Sequence, residues 1–244
     1  LKGFGIDYFH SGIIAAGSVL HYLQETQKVN LLHLNKIGAY NPSDYMLLDF
    51  STKRNLEITF SMNDGGREGS LISILDKTQT PMGGRMLKKW ISAPLRKLNP
   101  ILKRQECVEE FTNHKVLRNN IQNELKEIGD LERLISRVCT GRINPRELIS
   151  VKTSLKKIPL IKQLLDNSRS EVLQQINEKL NDLDALVELM EISLSDNPPA
   201  AISDGGVIRQ GFNAELDEIR DISQNAKSWI ANFQKTEREV SGIS

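Results

Sequence analysis

The densest concentration of side-chain chemistry in the sequence is cationic. Lys77, Arg85, Lys88, Lys89, Arg96, Lys97, Lys103 and Arg104 fall within 28 residues that contain no Asp or Glu. The whole chain of 244 residues carries a formal charge of only +1, so this stretch is a local excess and not a global field. Cations spaced along helices can neutralise phosphates, each contact weakening with salt as counterions are released. Arg85, Lys88, Lys89, Arg96 and Lys97 are the candidate phosphate contacts. The competing assignment is a surface that pairs with the acidic cluster Glu215, Asp217, Glu218 and Asp221. Nothing in the stretch predicts reading of base edges, which phosphate contacts do not supply.

Other chemistry is sparse. Gly65-Gly66 and Gly83-Gly84 do not belong to a G-x-x-x-x-G-K-[ST] phosphate loop. Gly83-Gly84-Arg85 runs into a helix start and could hold an anion there, but small residues that let elements approach closely are the stronger reading. No Gly-x-Ser-x-Gly elbow is present, and no Cys–His pair has local support. His10, His21, His33 and His114 lie in no metal-ligand spacing, so no metal site is expected. Cys107 and Cys139 read as two reduced, buried thiols on helices. Glu109-Glu110, Asp182/Asp184 and Asp217-Glu218 read as solvated helix faces. The sequence therefore predicts no catalytic residues and no cofactor within this chain, and enzymatic activity of its own is not expected.

The elements that would position these groups are mostly helical. Aromatics are 5% of residues, low for a β-sandwich, and 39% hydrophobic content suits a packed core. Residues 12–27 read as a first helix. Tyr45–Phe50 and Leu56–Phe60 read as two short strands joined by a polar loop, a β-hairpin. Short helices follow at 70–76 and 82–93, and Asn99-Pro100 reads as a cap and first-position proline opening a helix to 111. Asp130 caps the next helix and Gly141 ends it. Asn144-Pro145 opens one apolar stripe through Leu148, Val151, Leu155, Ile158, Ile161 and Leu165, and residues 170–194 continue the same periodicity. The irregular stretch 196–211 has room for one short strand at Val207-Ile208. The expected fold is mainly α, an irregular helical core with a small hairpin and one long lever-like helix.

That last helix is predicted over 213–240, about 42 Å at 1.5 Å per residue. Ile219, Ile222, Ala226, Trp229, Phe233, Thr236 and Val240 alternate intervals of three and four, a heptad seam. Helices average roughly a dozen residues, so this one is built to reach. A long helix packed only on its own core remains the alternative.

Taken in order, several segments resemble the MutS family of DNA mismatch-repair proteins, of the bacterial type. They are Leu48 to Ile58, Ser70 to Thr78, Thr80 to Trp90, Pro94-Leu95-Arg96, Gly129 to Arg133, Gly205 to Asn213, and Glu237-Arg238-Glu239 with Gly242-Ile243. The likeness covers essentially the whole sequence. It implies that residues 1–28 end a connector domain, 29–240 form the core or lever domain, and 241–244 begin a clamp. Both ends read as cut, Leu1 not being a start Met. The resemblance further implies a parent protein that binds mismatched double-stranded DNA as a dimer, recruits MutL, and hydrolyses ATP with magnesium in a domain outside these residues. Its expected setting is the bacterial cytoplasm, associated with the nucleoid. The role implied for this segment is mechanical, linking an ATPase end to a DNA end. A free-standing helical adaptor that binds a partner through the 219–240 seam is the alternative, and a small ATPase or nuclease a third reading.

Overall fold

A computed structural model describes residues 10–26 and 41–241. The expected connector–core boundary at 28/29, His33 and, of the expected clamp start 241–244, residues 242–244 lie outside the described residues, as does the side chain of Trp229. The described fold is mainly α, with thirteen α-helices and two short 3₁₀ turns. It divides into two units: residues 1–143 with 153–182, and residues 144–152 with 183–244.

The first unit contains α1 (His10–Thr26), α2 (Phe50–Asn55), α3 (Leu71–Leu75), α4 (Pro81–Ser92), α5 (Leu98–Asn113), α6 (Lys115–Lys126), α7 (Leu131–Cys139), α9 (Ile158–Leu165) and α10 (Glu171–Lys179). Helix α8 (Pro145–Lys156) contributes its last residues to this unit and its first to the other. The core is built from Ile121, Ile128, Ile161, Leu165 and Leu173, with Phe111, Leu117, Leu125 and Leu164 packed around them. Helix α6 packs on α9, and α5 on both α6 and α10.

The expected β-hairpin is not formed. Asp49 accepts a hydrogen bond from the Thr52 amide at 2.6 Å and thereby starts α2 in place of a hairpin loop. That helix ends in a Schellman arrangement, with Ile58 N–H donating to Lys53 O (3.1 Å) and Glu57 N–H to Arg54 O (3.0 Å). The left-handed residue this needs is Glu57 (φ 47°), not the usual glycine, so the sequence carries no visible stop signal. Residues 56–60 then receive α3: Leu71 N–H donates to Glu57 O and Ile72 N–H to Ile58 O. Tyr45 pairs instead with Leu95 in an isolated antiparallel bridge.

Three long periodic runs are also interrupted. The 148–165 stripe divides at Lys157 into α8 and α9, where Pro159 has no N–H to continue the ladder. Residues 170–194 divide at 180–183, where Asn181-Asp182 favours a turn, into α10 and, in the second unit, α11 (Asp184–Ser193). Helix α5 begins at Leu98, placing Asn99 and Pro100 inside its first turn. Other boundaries match: Asn144 and Glu147 form a reciprocal capping box at α8 (2.9 and 3.1 Å), and Gly141 adopts φ 66° past α7.

In the second unit, Leu194 pairs with Ile208 as an isolated bridge at the position expected for a short strand. Arg209 ties this turn together, donating to Leu194 O at 3.1 Å and pairing with Asp196, which also lies 3.8 Å from the buried Lys152. The expected long helix is two helices, α12 (Ala214–Gln224) and α13 (Ala226–Ser241), separated by Asn225 at φ −107°, ψ 27°. Asn213 caps α12 through the Leu216 amide at 2.9 Å.

Candidate functional site

The cationic stretch runs from Lys77, in the loop before α4, through α4 and the turn after it into the first half of α5. Thr80 caps α4 by accepting from the Gly83 amide at 3.0 Å, with Pro81 in the first turn. A Cβ on Gly83 would meet Thr80 Oγ1 at 3.1 Å and Thr78 Cβ at 3.3 Å. The loop before the helix thus lies against its first turn, which is what the paired glycines allow. Asp76 fills the anionic role there. It accepts from Thr78 Oγ1 (2.6 Å) and Thr78 N (3.0 Å) and pairs with Arg67, and the Thr78 bonds, then Arg67, hold its carboxyl below the ordinary aspartate value. An open cleft of about 550 Å³ lies beside it, lined by Phe60, Thr78, Gly84, Arg85 and Lys88 among others.

Arg85 is not a free cation. Its two terminal nitrogens donate to both oxygens of Asp130, each at 2.7 Å, and Nε donates to Glu132 at 3.1 Å. This bidentate clasp joins α4 to the capping residue of α7, 45 positions away in sequence. It raises the guanidinium pKa further above its ordinary value, chiefly through Asp130, and holds Asp130 below the usual carboxylate range, chiefly through Arg85. Lys97 pairs with Asp44 at 2.6 Å and Lys103 with Glu171 at 3.1 Å. Lys88 sits 5.1 Å over the Phe60 ring and Arg104 3.6 Å over that of Trp90. Lys77, Lys89 and Arg96 are exposed and have no ion-pair partner among the described residues. Of the five candidates, then, Lys88, Lys89 and Arg96 keep charge uncommitted to a carboxylate, while Arg85 and Lys97 act within the fold. The carboxylates that answer this stretch are Asp44, Asp130, Glu132 and Glu171, all in the first unit.

One carboxylate expected at the surface is buried. Glu110, 7% exposed, accepts from the backbone amides of Arg169 (2.9 Å) and Ser170 (2.7 Å). It caps α10 from α5, a task the local Ser170 side chain does not perform, its hydroxyl lying 3.1 Å from Cys107 Sγ. Glu109 beside it stays exposed. Cys107 and Cys139 are free and half-buried. Gly129 N–H donates to the fully buried Ser154 hydroxyl at 2.9 Å, so the Gly129–Arg133 segment serves as a structural junction.

Along the expected seam, Ile222 is half-buried and Ala226 is exposed, whereas Ile219, Phe233 and Val240 are 57%, 51% and 80% exposed. Trp229 belongs to α13. Ile230, which is not among the seam positions, is 51% exposed on the same helix. Among the described residues, no group of three or more His, Cys, Asp or Glu could hold a metal ion, and no helix is long and apolar enough to cross a membrane.

The described residues form a helical scaffold in which Arg85, Lys97 and Lys103 clasp elements of the first unit to one another. Residues 51–242 match the family description "MutS domain III". The chain is 45% identical over 243 residues to the DNA mismatch repair protein MutS of Salinibacter ruber, covering 100% of this chain and 27% of that protein. It is 42% identical to the protein of the same name from Symbiobacterium thermophilum (100% and 28%) and 43% identical to that from Halothermothrix orenii (100% and 27%). The chain belongs to the MutS family, and it spans little more than a quarter of the length of these relatives.

Proposed function

We propose that this chain is the core, or lever, segment of a DNA mismatch-recognition protein, with residues 1–28 ending a connector, 29–240 forming the core and 241–244 entering a clamp. The observation that carries this reading is the domain III match over 51–242, together with relatives named for mismatch repair. On this reading the parent protein binds mismatched double-stranded DNA, works with a dimer partner and MutL, and binds ATP and magnesium outside these residues. It works in the bacterial cytoplasm, at the nucleoid. The segment itself supplies no chemistry. It links the ATPase end to the DNA end, and α12–α13 carry a change of state between them.

Rigid, internally clasped helices suit that task, because coupling needs an element with discrete arrangements and not a compliant one. The exposed apolar positions of α12 and α13, Ile219, Ile230 and Val240, then belong to contacts with the rest of the parent protein. Of the five candidate contacts, Lys88, Lys89 and Arg96 are free to meet phosphates. In the complete protein, replacing all three by Ala should flatten the salt dependence of DNA affinity by about 0.9 in log–log slope for each phosphate they neutralise. An unchanged slope would remove DNA from this surface.

The lever is tested by proline. Ala226 is the first residue of α13, but Asn225 before it lies at ψ 27°, which a following proline disfavours, so the cleaner site lies further in. Ala231→Pro, inside the same helix, removes a ladder bond and costs about 3 kcal/mol of local stability. In the complete protein it should leave ATP binding and mismatch binding separately intact while abolishing release of mismatched DNA on adding ATP. Normal release would make the helix a passive strut.

A further inference from the structure

Helices α4 and α5 enclose an open groove of about 690 Å³ within the first unit. Its walls are Leu87, Trp90, Ile91, Leu95 and Ile101, and at its lip stands Val108, 64% exposed. The exposed Gln105 and Glu109 also line it, Glu109 making no ion pair with Arg104. One cation belongs to this apolar lining. Arg104 lies flat on Trp90, half-buried, with no carboxylate partner among the described residues. Burial among these walls pulls its guanidinium below the ordinary arginine value, and of the described residues only Tyr45 acts in the opposite direction. Every other cation of the stretch that is drawn toward the protein has either a carboxylate or, for Lys88, an exposed position. A guanidinium held in an apolar wall without an acceptor is an incomplete interaction, since its in-plane N–H donors suit the fork of a carboxylate.

We propose that this groove is the docking site for an apolar segment bearing one carboxylate, the carboxylate pairing with Arg104, and that the same polypeptide supplies the segment from outside these 244 residues. The choice of source rests on the family membership. The relatives are only 27–28% covered by this chain, so in this family most of the polypeptide lies beyond the segment and is tethered to it at high effective concentration. A contact of this kind between parts of one chain is as mixed in polarity as interdomain interfaces generally are. Nothing in the proposal depends on the lever mechanism, whose test is ATP-triggered release.

The test is cysteine accessibility at the groove lip. Val108→Cys is placed in a Cys107→Ser background, both in the 244-residue chain and in the complete protein, and maleimide labelling of that one peptide is timed by mass spectrometry. Labelling should be about tenfold or more slower in the complete protein, as local protection follows buried contacts. Arg104→Gln should restore much of the lost rate there and leave the 244-residue chain unchanged. Equal rates in the two proteins would overturn the proposal. So would protection in the 244-residue chain that grows with its concentration, which would mean a second copy. Protection of the complete protein only after adding DNA or another protein would place the occupant elsewhere, and protection that survives Arg104→Gln would remove the carboxylate.

Discussion

The α5–α6–α9–α10 core and the α12–α13 pair carry similar apolar periodicity and opposite burial. Ile161, Leu165 and Leu173 are 9%, 4% and 6% exposed, while Ile219, Phe233 and Val240 are more than half exposed. A stripe at helical spacing says that a face will be covered, not by what. In the first case the covering partners lie within the first unit; in the second, more than half of each side chain stays exposed among the described residues. The two regions also differ in how their ends are secured. The first unit is closed by non-local bonds, Arg85 to Asp130, Glu110 to Arg169 and Ser170, and Lys157 to Glu124 and Glu127. Among the described residues, α12 is secured by the Asn213 cap and by Arg220, which donates to Ile208 O and pairs with Asp217.

The largest effect that would break the comparison is in the core. Leu165→Ala should lower the unfolding free energy by about 2–5 kcal/mol, measured by urea denaturation. Val240→Ala, on the 80% exposed end of α13, should change it by no more than about 0.5 kcal/mol, the usual range for a surface site. Equal losses would mean that α13 is packed as tightly as α9. Next comes the buried cap. Glu110→Ala orphans two backbone amides and should cost about 1–3 kcal/mol, whereas Glu109→Ala should be neutral in the same denaturation experiment.

A smaller, pH-dependent effect should come from the Arg85 clasp. The carboxyl of Asp130 is depressed in the folded chain, so its contribution is present above the unfolded aspartate value of about 3.9 and is lost as pH falls through the folded one. Asp130→Asn should therefore be less stable than the parent at pH 7 and lose less between about pH 4 and pH 2. Parallel stability curves for the two proteins would show that the clasp contributes nothing.

Much of this was legible from residues. The Asp130 cap, the Gly141 stop and the Asn144-Pro145 start each follow from one residue type at one position, and each stands where expected. The errors have local causes of another kind. Glu57 in a left-handed conformation ends α2 without a glycine, so an alternating run reads as a strand. Asn225 divides the last helix although neither Gly nor Pro marks it. Pro159 is visible but is outweighed by the apolar stripe on either side. At the site, the number of cations can be read directly, but their commitments cannot. Arg85 meets Asp130 across 45 positions and Glu110 reaches Ser170 across 60, and no spacing rule spans such gaps. Burial of Glu110 and exposure of its neighbour Glu109 is likewise a tertiary fact, since the two are adjacent in sequence.

Hydrogen exchange followed peptide by peptide, in the 244-residue chain and in the complete protein, tests the contrast most directly. In the 244-residue chain, amides of α6, α9 and α10 should exchange near the rate of global unfolding, while those of α13 exchange faster and progressively so toward Val240. In the complete protein the α13 amides should become protected, as the contacts expected of a lever are made. If α13 is already as protected as α9 in the 244-residue chain, or stays unprotected in the complete protein, the α12–α13 pair is not a lever awaiting partners and the account fails.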